Sequence, residues 1–287
     1  MSNPTAAERE PAVRVVEVGP RDGLQNQPAI VPTEAKIAFI DLLSASGLRD
    51  IEVSSFVSPL WVPQLADAAQ VFAGIRRAPG VRYSALVPNE AGLDRAIAAR
   101  VDKVAIFVAA SETFSRRNVN ASIRESLERA ARVTRRAMVP VRGYVSTAFY
   151  CPYEGPIAPA TTAAVAQQLV DAGCAEVSIG DTIGRAGPEE VRDLLTHLLP
   201  VLTGVEVALH FHDTSGRAIA NVAAAREFGI RIFDGSAGGL GGCPFAPGAP
   251  GNVSTQALVR AFPEQTGIVL EALERATTFL TPHVQGA

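Results

Sequence analysis

The chain is poor in the residues that would place it in several large protein classes. It has three cysteines, Cys151, Cys174 and Cys243, odd in number and widely spaced. They supply neither a disulfide framework nor a CxxC metal pattern, and a reducing, cytoplasmic compartment is the expectation. Lysine occurs only as Lys36 and Lys103, arginine carries almost all the positive charge, and no basic run is present. With a net charge of −3, neither nucleic acid nor an anionic membrane surface is expected as a partner. No apolar run approaches the length of a bilayer span. The opening MSNPTAAEREPAVR is polar and includes acids, which argues against a signal or transit peptide. Residues 1–12 are expected to form a disordered tail.

What is present is a core-forming chain. Its 287 residues are 47% hydrophobic and 19% charged, enough for one large domain. Short β-branched runs cover 13–19, 50–56, 81–88, 103–110, 139–148, 176–182, 205–214 and 231–239. Helical runs lie between them. Thr33 reads as an N-cap and Gly47 as a C-cap of the first, Ser122 with Glu125 as a capping box, and Gly173 and Gly229 as the ends of two more. Short apolar strands spaced by helices indicate a parallel sheet buried on both faces. About eight such units predict an α/β fold, a (β/α)8 TIM barrel. The rival, an open doubly wound sheet, usually has a glycine-rich phosphate turn after its first strand. Here that strand ends in GPRDGLQNQ, without GxGxxG spacing. Residues 13–287 are expected to form one catalytic barrel domain, with a glycine-rich loop after the last strand. Further helices over 253–280 are expected to pack near the barrel mouth.

In such a barrel the active site lies at the C-terminal ends of the strands, and the polar residues fall there. Arg21 and Asp22 end the first strand and Glu52 sits in the second. Asp181 and Thr182 end the sixth; His210, His212 and Asp213 end the seventh; Cys243 and Asn252 lie in the loop after the eighth. His210 and His212 are two apart on a strand, so both imidazoles face one way and can share a metal ion. A hydrogen-bonded histidine pair is the plain alternative. With Asp22 and Asn252 the set is two nitrogens and two oxygens. That suits a hard divalent cation, Mg2+ or Mn2+, with positions left for substrate oxygens; zinc stays open. Arg21 beside Asp22 is either a fold-stabilising ion pair or a donor to a developing oxyanion. Glu52, in an apolar strand, needs a partner, and Arg21 is the expected one. Cys174 reads as packing and Cys151 as lining the mouth. His197, on a helix, and His283, in the tail, read as non-ligands. The run GGLGGCPFAPGAPGN, Gly238 to Asn252, has too permissive a backbone for regular structure. It reads as a mobile loop that carries the Cys243 thiol over the site.

Together, VEVGPRDGLQNQ (16–27), IEVSSFVSP (51–59), VRGYVSTA (141–148), SIGDT (178–182), HFHDT (210–214) and GGLGGCPF (238–245) resemble the 3-hydroxy-3-methylglutaryl-CoA lyase family. The resemblance runs from about residue 13 to 280, and GGLGGCP is its most specific element. RDG and HxHD alone mark a wider superfamily of metal-dependent Claisen-type lyases and synthases. The resemblance implies a (β/α)8 barrel with a divalent metal that cleaves an acyl-CoA substrate, 3-hydroxy-3-methylglutaryl-CoA, to acetyl-CoA and acetoacetate. Leucine breakdown and ketone-body formation use this chemistry. By position it implies Asp22, His210, His212 and Asn252 as metal ligands. It implies Arg21, Asp22, Glu52, His210 and Cys243 as the catalytic set, with Asp22 or His210 as base and Cys243 as acid. Gln25, Ser178, Asp181, Arg116 and Arg117 are the further positions expected to contact substrate. Gln27 and Leu60 depart from the family pattern, which often has Glu and Lys there. Arg116 and Arg117, in the loop after the fourth strand, are expected to replace the lysine's contact with the CoA phosphates. The alternatives are a lyase for a related branched 3-hydroxy-3-carboxyacyl-CoA, a Claisen-type acyl-CoA/2-oxoacid synthase, and a non-catalytic scaffold barrel. Barrels of this size often pair through outer helices, so a homodimer is expected.

Overall fold

A computed structural model describes residues 12–241 and 251–284. The expected tail, apart from Ala12, lies outside the described residues, and so does Cys243. Eight strands form where the β-branched runs lie. They are β1 (Arg14–Glu17), β2 (Asp50–Ser55), β3 (Arg82–Leu86), β4 (Lys103–Ala109), β5 (Val141–Ser146), β6 (Glu176–Asp181), β7 (Glu206–Phe211) and β8 (Ile232–Gly235). Each pairs in parallel with the next, and β1 pairs with β8, Arg14 opposite Ile232 and Glu17 opposite Gly235. The sheet is a closed barrel with no free edge, the predicted (β/α)8 architecture.

Helices alternate with the strands: α1 (Thr33–Ser44), α2 (Ala68–Gly74), α3 (Glu90–Ala98), α4 (Glu112–Val119), α5 (Ile123–Arg136), α6 (Pro159–Asp171), α7 (Pro188–Leu198) and α8 (Ala218–Glu227). The predicted capping box is present at α5. Ser122 Oγ accepts from the Glu125 amide at 3.1 Å, and the Glu125 carboxylate accepts from the Ser122 amide at 2.7 Å. The buried side of α5, with Leu127, Ala130 and Val133, follows the helical period. The ends of α1 differ from expectation. Pro32 is its N-cap, because the Thr33 hydroxyl turns to Asp67 at 2.8 Å. Its C-cap is Ala45, and Gly47 lies beyond it in a left-handed turn at φ +91°. Three helices follow the barrel: α9 (Thr255–Ala261), α10 (Pro263–Thr266) and α11 (Leu270–Val284). They line the barrel wall rather than cluster at the mouth, with α11 packed along α1. At one end Gln256 accepts from the Gly238 amide at 2.9 Å; at the other the Gln265 carbonyl accepts from the Val13 amide at 3.0 Å.

Alternate strand residues part to opposite sides. Ile51, Val53, Val104, Ile106, Val177 and Ile179 join the apolar layer between strands and helices. Their neighbours face the barrel axis, and at its N-terminal end these are charged. Arg14, Asp50, Lys103, Arg142 and Glu176 are buried there and linked by ion pairs. Barrels of this type commonly fill their interior with branched apolar side chains. The expectation of strands apolar on both faces therefore holds only for the outer face. Small apolar clusters such as Val16, Val18, Ala208 and Ile232 complete the inner one.

Candidate active site

The strand β1 runs into one wide turn, Gly19–Gly23, of the rare π-helical type. The amides of Arg21, Asp22 and Gly23 all return to the Val18 carbonyl. This winding brings two sequence neighbours, Arg21 and Asp22, to the mouth together. Glu17 pins the turn from below. Its Oε1 accepts from the Gly19 amide at 2.7 Å and the Ala237 amide at 2.9 Å, and its Oε2 from the Thr255 hydroxyl at 2.6 Å. Burial pushes this carboxyl up to about 7, against the pull of those three donors.

Arg21 is held from two sides. Its Nε donates a short bond to Glu52 Oε1 and its Nη1 donates to Asp22 Oδ1. Glu52 is fully buried, and its other oxygen accepts the Tyr144 hydroxyl at 2.9 Å. The register between β2 and β3 shifts between Glu52 and Ser54, an irregularity of the sort that re-aims side chains. The Tyr144 ring lies 5.6 Å from the Arg21 guanidinium. Burial opposes the charge on Arg21, but Glu52 and Asp22 outweigh it and keep the group ionised. The predicted Arg21–Glu52 pair is thus formed, and it leaves the guanidinium fixed at the mouth.

Asp22, His210 and His212 each bring a ligand atom within 4.8 Å of the others. The two imidazole centroids are 5.2 Å apart. His210 Nδ1 lies 3.1 Å from Asp234 Oδ2. His212 Nδ1 is buried without a hydrogen-bond partner among the described residues, a loss of about 1–3 kcal/mol unless something else binds there. An orphaned ring nitrogen beside a second imidazole and a carboxylate fits a divalent cation. Protonation states agree with that use. Burial favours neutral Asp22, but Arg21, His210 and His212 overcome it and hold the carboxyl well below the usual range. Burial, then the charge of His210, lowers His212 to about 4 and keeps it neutral. His210 goes the other way: burial disfavours its charge, yet the hydrogen bond and charge of Asp234 raise its pKa.

Asn252 reaches the cluster because the returning chain pairs with the end of β7. The Val253 amide donates to Phe211 at 3.0 Å and the Asp213 amide to Gly251 at 2.7 Å, which sets Asn252 opposite His212. Its Nδ2 donates to Asp22 Oδ2 at 2.8 Å and to the Leu240 carbonyl at 3.0 Å. In this arrangement Asn252 braces Asp22, and offering an oxygen to a cation requires its amide to turn over. A cavity of ≈ 530 Å³ lies at the opposite end of the barrel, among Arg14, Arg82 and Glu206. It holds none of these groups.

The model of the HMGL-like family matches residues 12–279. The chain belongs to the HMGL-like family. It is 49% identical over 274 residues to the mitochondrial hydroxymethylglutaryl-CoA lyase of Rattus norvegicus, covering 93% of this chain and 84% of that one. It is 48% identical over 274 residues to the cytoplasmic 3-hydroxy-3-methylglutaryl-CoA lyase of the same species, with coverage of 93% and 80%. The crystal structure of the HMG-CoA lyase from Brucella melitensis superposes with a TM-score of 0.93 at 49% identity, covering 97% of this chain and 100% of that one. Among the described residues no helix is long and apolar enough to cross a membrane.

The other positions expected in this HMGL-like chain are dispersed. Asp181 is buried, with both oxygens taken by the Arg185 and Ala186 amides at 3.1 and 3.0 Å, and burial pushes it up to about 6. Ser178 donates to Asp234 at 3.2 Å inside the barrel and does not face the mouth. Asp213 accepts from the Ala218 amide, the first of α8, at 2.9 Å. Gln25 is half-buried just after the Arg21 turn. Arg116 and Arg117 lie on α4, not in a loop, because Ser111 caps that helix by accepting from the Phe114 amide at 3.0 Å. Arg116 pairs with Glu112 at 2.8 Å and Arg117 stacks on Tyr153 at 4.2 Å. Gln27 donates to the Gly23 carbonyl at 3.1 Å, and Leu60 is 92% exposed. Cys174 is buried as predicted, and burial pushes its thiol up to about 12. Cys151 is also buried, its sulfur accepting from Ser111 at 3.0 Å, so it does not line an open mouth. His197 lies on α7 as expected; His283 lies in the last turn of α11 rather than in a free tail. Glu17, Tyr144, Arg142 and Asp234 were missed. For Tyr144, Arg142 and Asp234 the available signal was a polar residue at an inward position of an otherwise apolar strand; Glu17 lies on the outer side of β1 with Val15.

Proposed function

We propose that this chain is a divalent-metal-dependent carbon–carbon lyase that cleaves 3-hydroxy-3-methylglutaryl-CoA to acetyl-CoA and acetoacetate. The observation that carries the reading is the Asp22–His210–His212 cluster joined to the Arg21–Glu52 pair, in a chain 49% identical to a rat protein of that name. Mg2+ or Mn2+ held by Asp22, His210, His212 and a turned-over Asn252 would lower the pKa of the substrate's 3-hydroxyl and fix its oxygens. Asp22 takes the hydroxyl proton, because His210, with one nitrogen on Asp234 and the other turned to the cation, has no free lone pair. The C3 oxygen becomes the ketone of acetoacetate as the C2–C3 bond breaks, and the electron pair enters the thioester as an enolate. Arg21, fixed by Glu52, donates to that enolate oxygen. Its charge exists only as the bond breaks, so the contact favours the transition state over bound substrate. Cys243 is the proposed acid that protonates the departing C2 carbon. Gln25, Arg116 and Arg117 are proposed contacts for the rest of the acyl-CoA. A cytoplasmic homodimer is proposed; relatives are named for both the mitochondrion and the cytoplasm.

The test is acetoacetate release by EDTA-treated protein, with Mg2+ or Mn2+ added back, beside Cys243→Ala. The expected result is metal-restored cleavage in the wild type and roughly 10²-fold or greater loss in the variant. No cleavage by metal-loaded wild type rejects this substrate, and longer branched acyl-CoA analogues then decide for or against a related lyase. Thiol release from acetyl-CoA with a 2-oxoacid would point to a synthase instead.

A further inference from the structure

One buried carboxylate touches the site without a part in the cleavage. Asp234, on β8, is 2% exposed. Its Oδ2 faces His210 Nδ1 at 3.1 Å and accepts the Ser178 hydroxyl at 3.2 Å. Its Oδ1 takes a short bond from Arg142 Nη2. Arg142 is itself buried, with Nη1 2.7 Å from Glu176. Lys103 and Arg14 each reach Glu176 at 2.9 Å. A line of paired charges thus rises from the N-terminal end of the barrel to the underside of His210.

We propose that Asp234 is a positioning residue for the metal centre: it holds His210 in the Nδ1–H tautomer and so turns an unprotonated Nε2 toward the cation. The proposal rests on reading Asp22, His210 and His212 as metal ligands. A carboxylate can only accept, so the ring nitrogen facing it carries the hydrogen, and in a neutral imidazole the lone pair is then on the other nitrogen. Such outer partners fix ring orientation and raise ligand basicity. Arg142 and Ser178 hold Asp234 in place, so the ring cannot swing without breaking bonds beneath it. The two histidines differ in this respect. Among the described residues His212 Nδ1 has no hydrogen-bond partner, so that nitrogen has no comparable brace there.

Titration of metal-free protein with Mn2+, followed by loss of the free-ion EPR signal, tests this without turnover. Asp234→Asn keeps the shape and removes the charge. The expected result is a roughly 10–100-fold loss of Mn2+ affinity, with Ser178→Ala, which only loosens Asp234, between it and wild type. If Asp234 served only to balance Arg142, Asp234→Asn would lower the melting temperature and leave Mn2+ affinity unchanged. That result overturns the proposal and leaves the metal reading intact. A wild type that binds no Mn2+ overturns both. Should Asp234→Asn fail to fold, the imidazole nitrogen NMR spectrum of metal-free wild type at alkaline pH decides. A proton on His210 Nδ1 supports the proposal, and a proton on Nε2 overturns it.

Discussion

Arg21 has its Nε and Nη1 committed to Glu52 and Asp22, so its orientation is set before substrate arrives. An electrostatic donor fixed in this way acts on charge that develops during reaction. Arg21→Met is therefore expected to lower kcat by about 10²–10³-fold, with a much smaller change in KM. Steady-state kinetics check this, and a rise in KM with kcat unchanged would contradict it. Arg21, Asp22, Glu52, His210 and His212 were legible in the sequence because they are charged or titratable residues at strand ends within recognisable runs. Tyr144 and Asp234 were not. Tyr144 meets Glu52 and Arg142 meets Asp234 across 92 residues of chain in each case. A lone polar residue in a strand acquires meaning only from the partner the barrel closure brings to it.

At the scale of elements, the strands were legible as short, mostly apolar β-branched runs spaced by helical ones, and closure of the barrel followed from the number and period of these units. What the period left open was the inner face. Residues such as Arg14, Asp50, Arg142 and Glu176 dilute apolar runs without interrupting them, so each run reads as buried on both sides. The sequence of α4, ETFSRRNV, has too little apolar periodicity to signal a helix; the cap at Ser111 starts it. The segment before Asn252 also carries a steric requirement. Gly241 has φ +105°, and a Cβ there would lie 2.6 Å from Asn252 Nδ2. Gly241→Ala is expected to push Asn252 off Asp22 and to weaken Mn2+ binding by about tenfold, the low end of losses of supporting partners at metal sites. Mn2+ titration of the folded variant checks this, and unchanged affinity would show that Asn252 is dispensable to the site.

The whole molecule is an apolar shell around a charged axis, and the axis has its own stability requirements. Arg142→Met leaves Asp234 and Glu176 short of a partner in the interior. A loss of about 3–5 kcal/mol is expected in urea unfolding, because breaking a buried pair strands the remaining charge. A loss below about 1 kcal/mol, the scale of an exposed pair, would contradict this. Glu17 gives the fold a pH dependence. Its carboxyl titrates near 4.5 when unfolded and at about 7 when folded. Its contribution is complete below the lower value, where both states are protonated. It is lost as pH rises toward the upper one, because the unfolded chain releases its proton first. The gap corresponds to roughly 3 kcal/mol. The melting temperature of metal-free protein is expected to fall between about pH 5 and pH 8, and Glu17→Gln, which can keep the three hydrogen bonds, should flatten that fall. Equal slopes in the two proteins would contradict the assignment.

In the proposed reaction the mouth of this barrel breaks a carbon–carbon bond and returns a proton to the carbon released. Cleavage of 3-hydroxy-3-methylglutaryl-CoA by the Mn2+-loaded protein in D2O, with the products read by mass spectrometry, tests it most directly. Acetoacetate and acetyl-CoA in equal amounts, with one deuterium in the acetyl methyl group, is the predicted result. Free coenzyme A with an intact six-carbon acid would mean thioester hydrolysis and would rule out carbon–carbon cleavage.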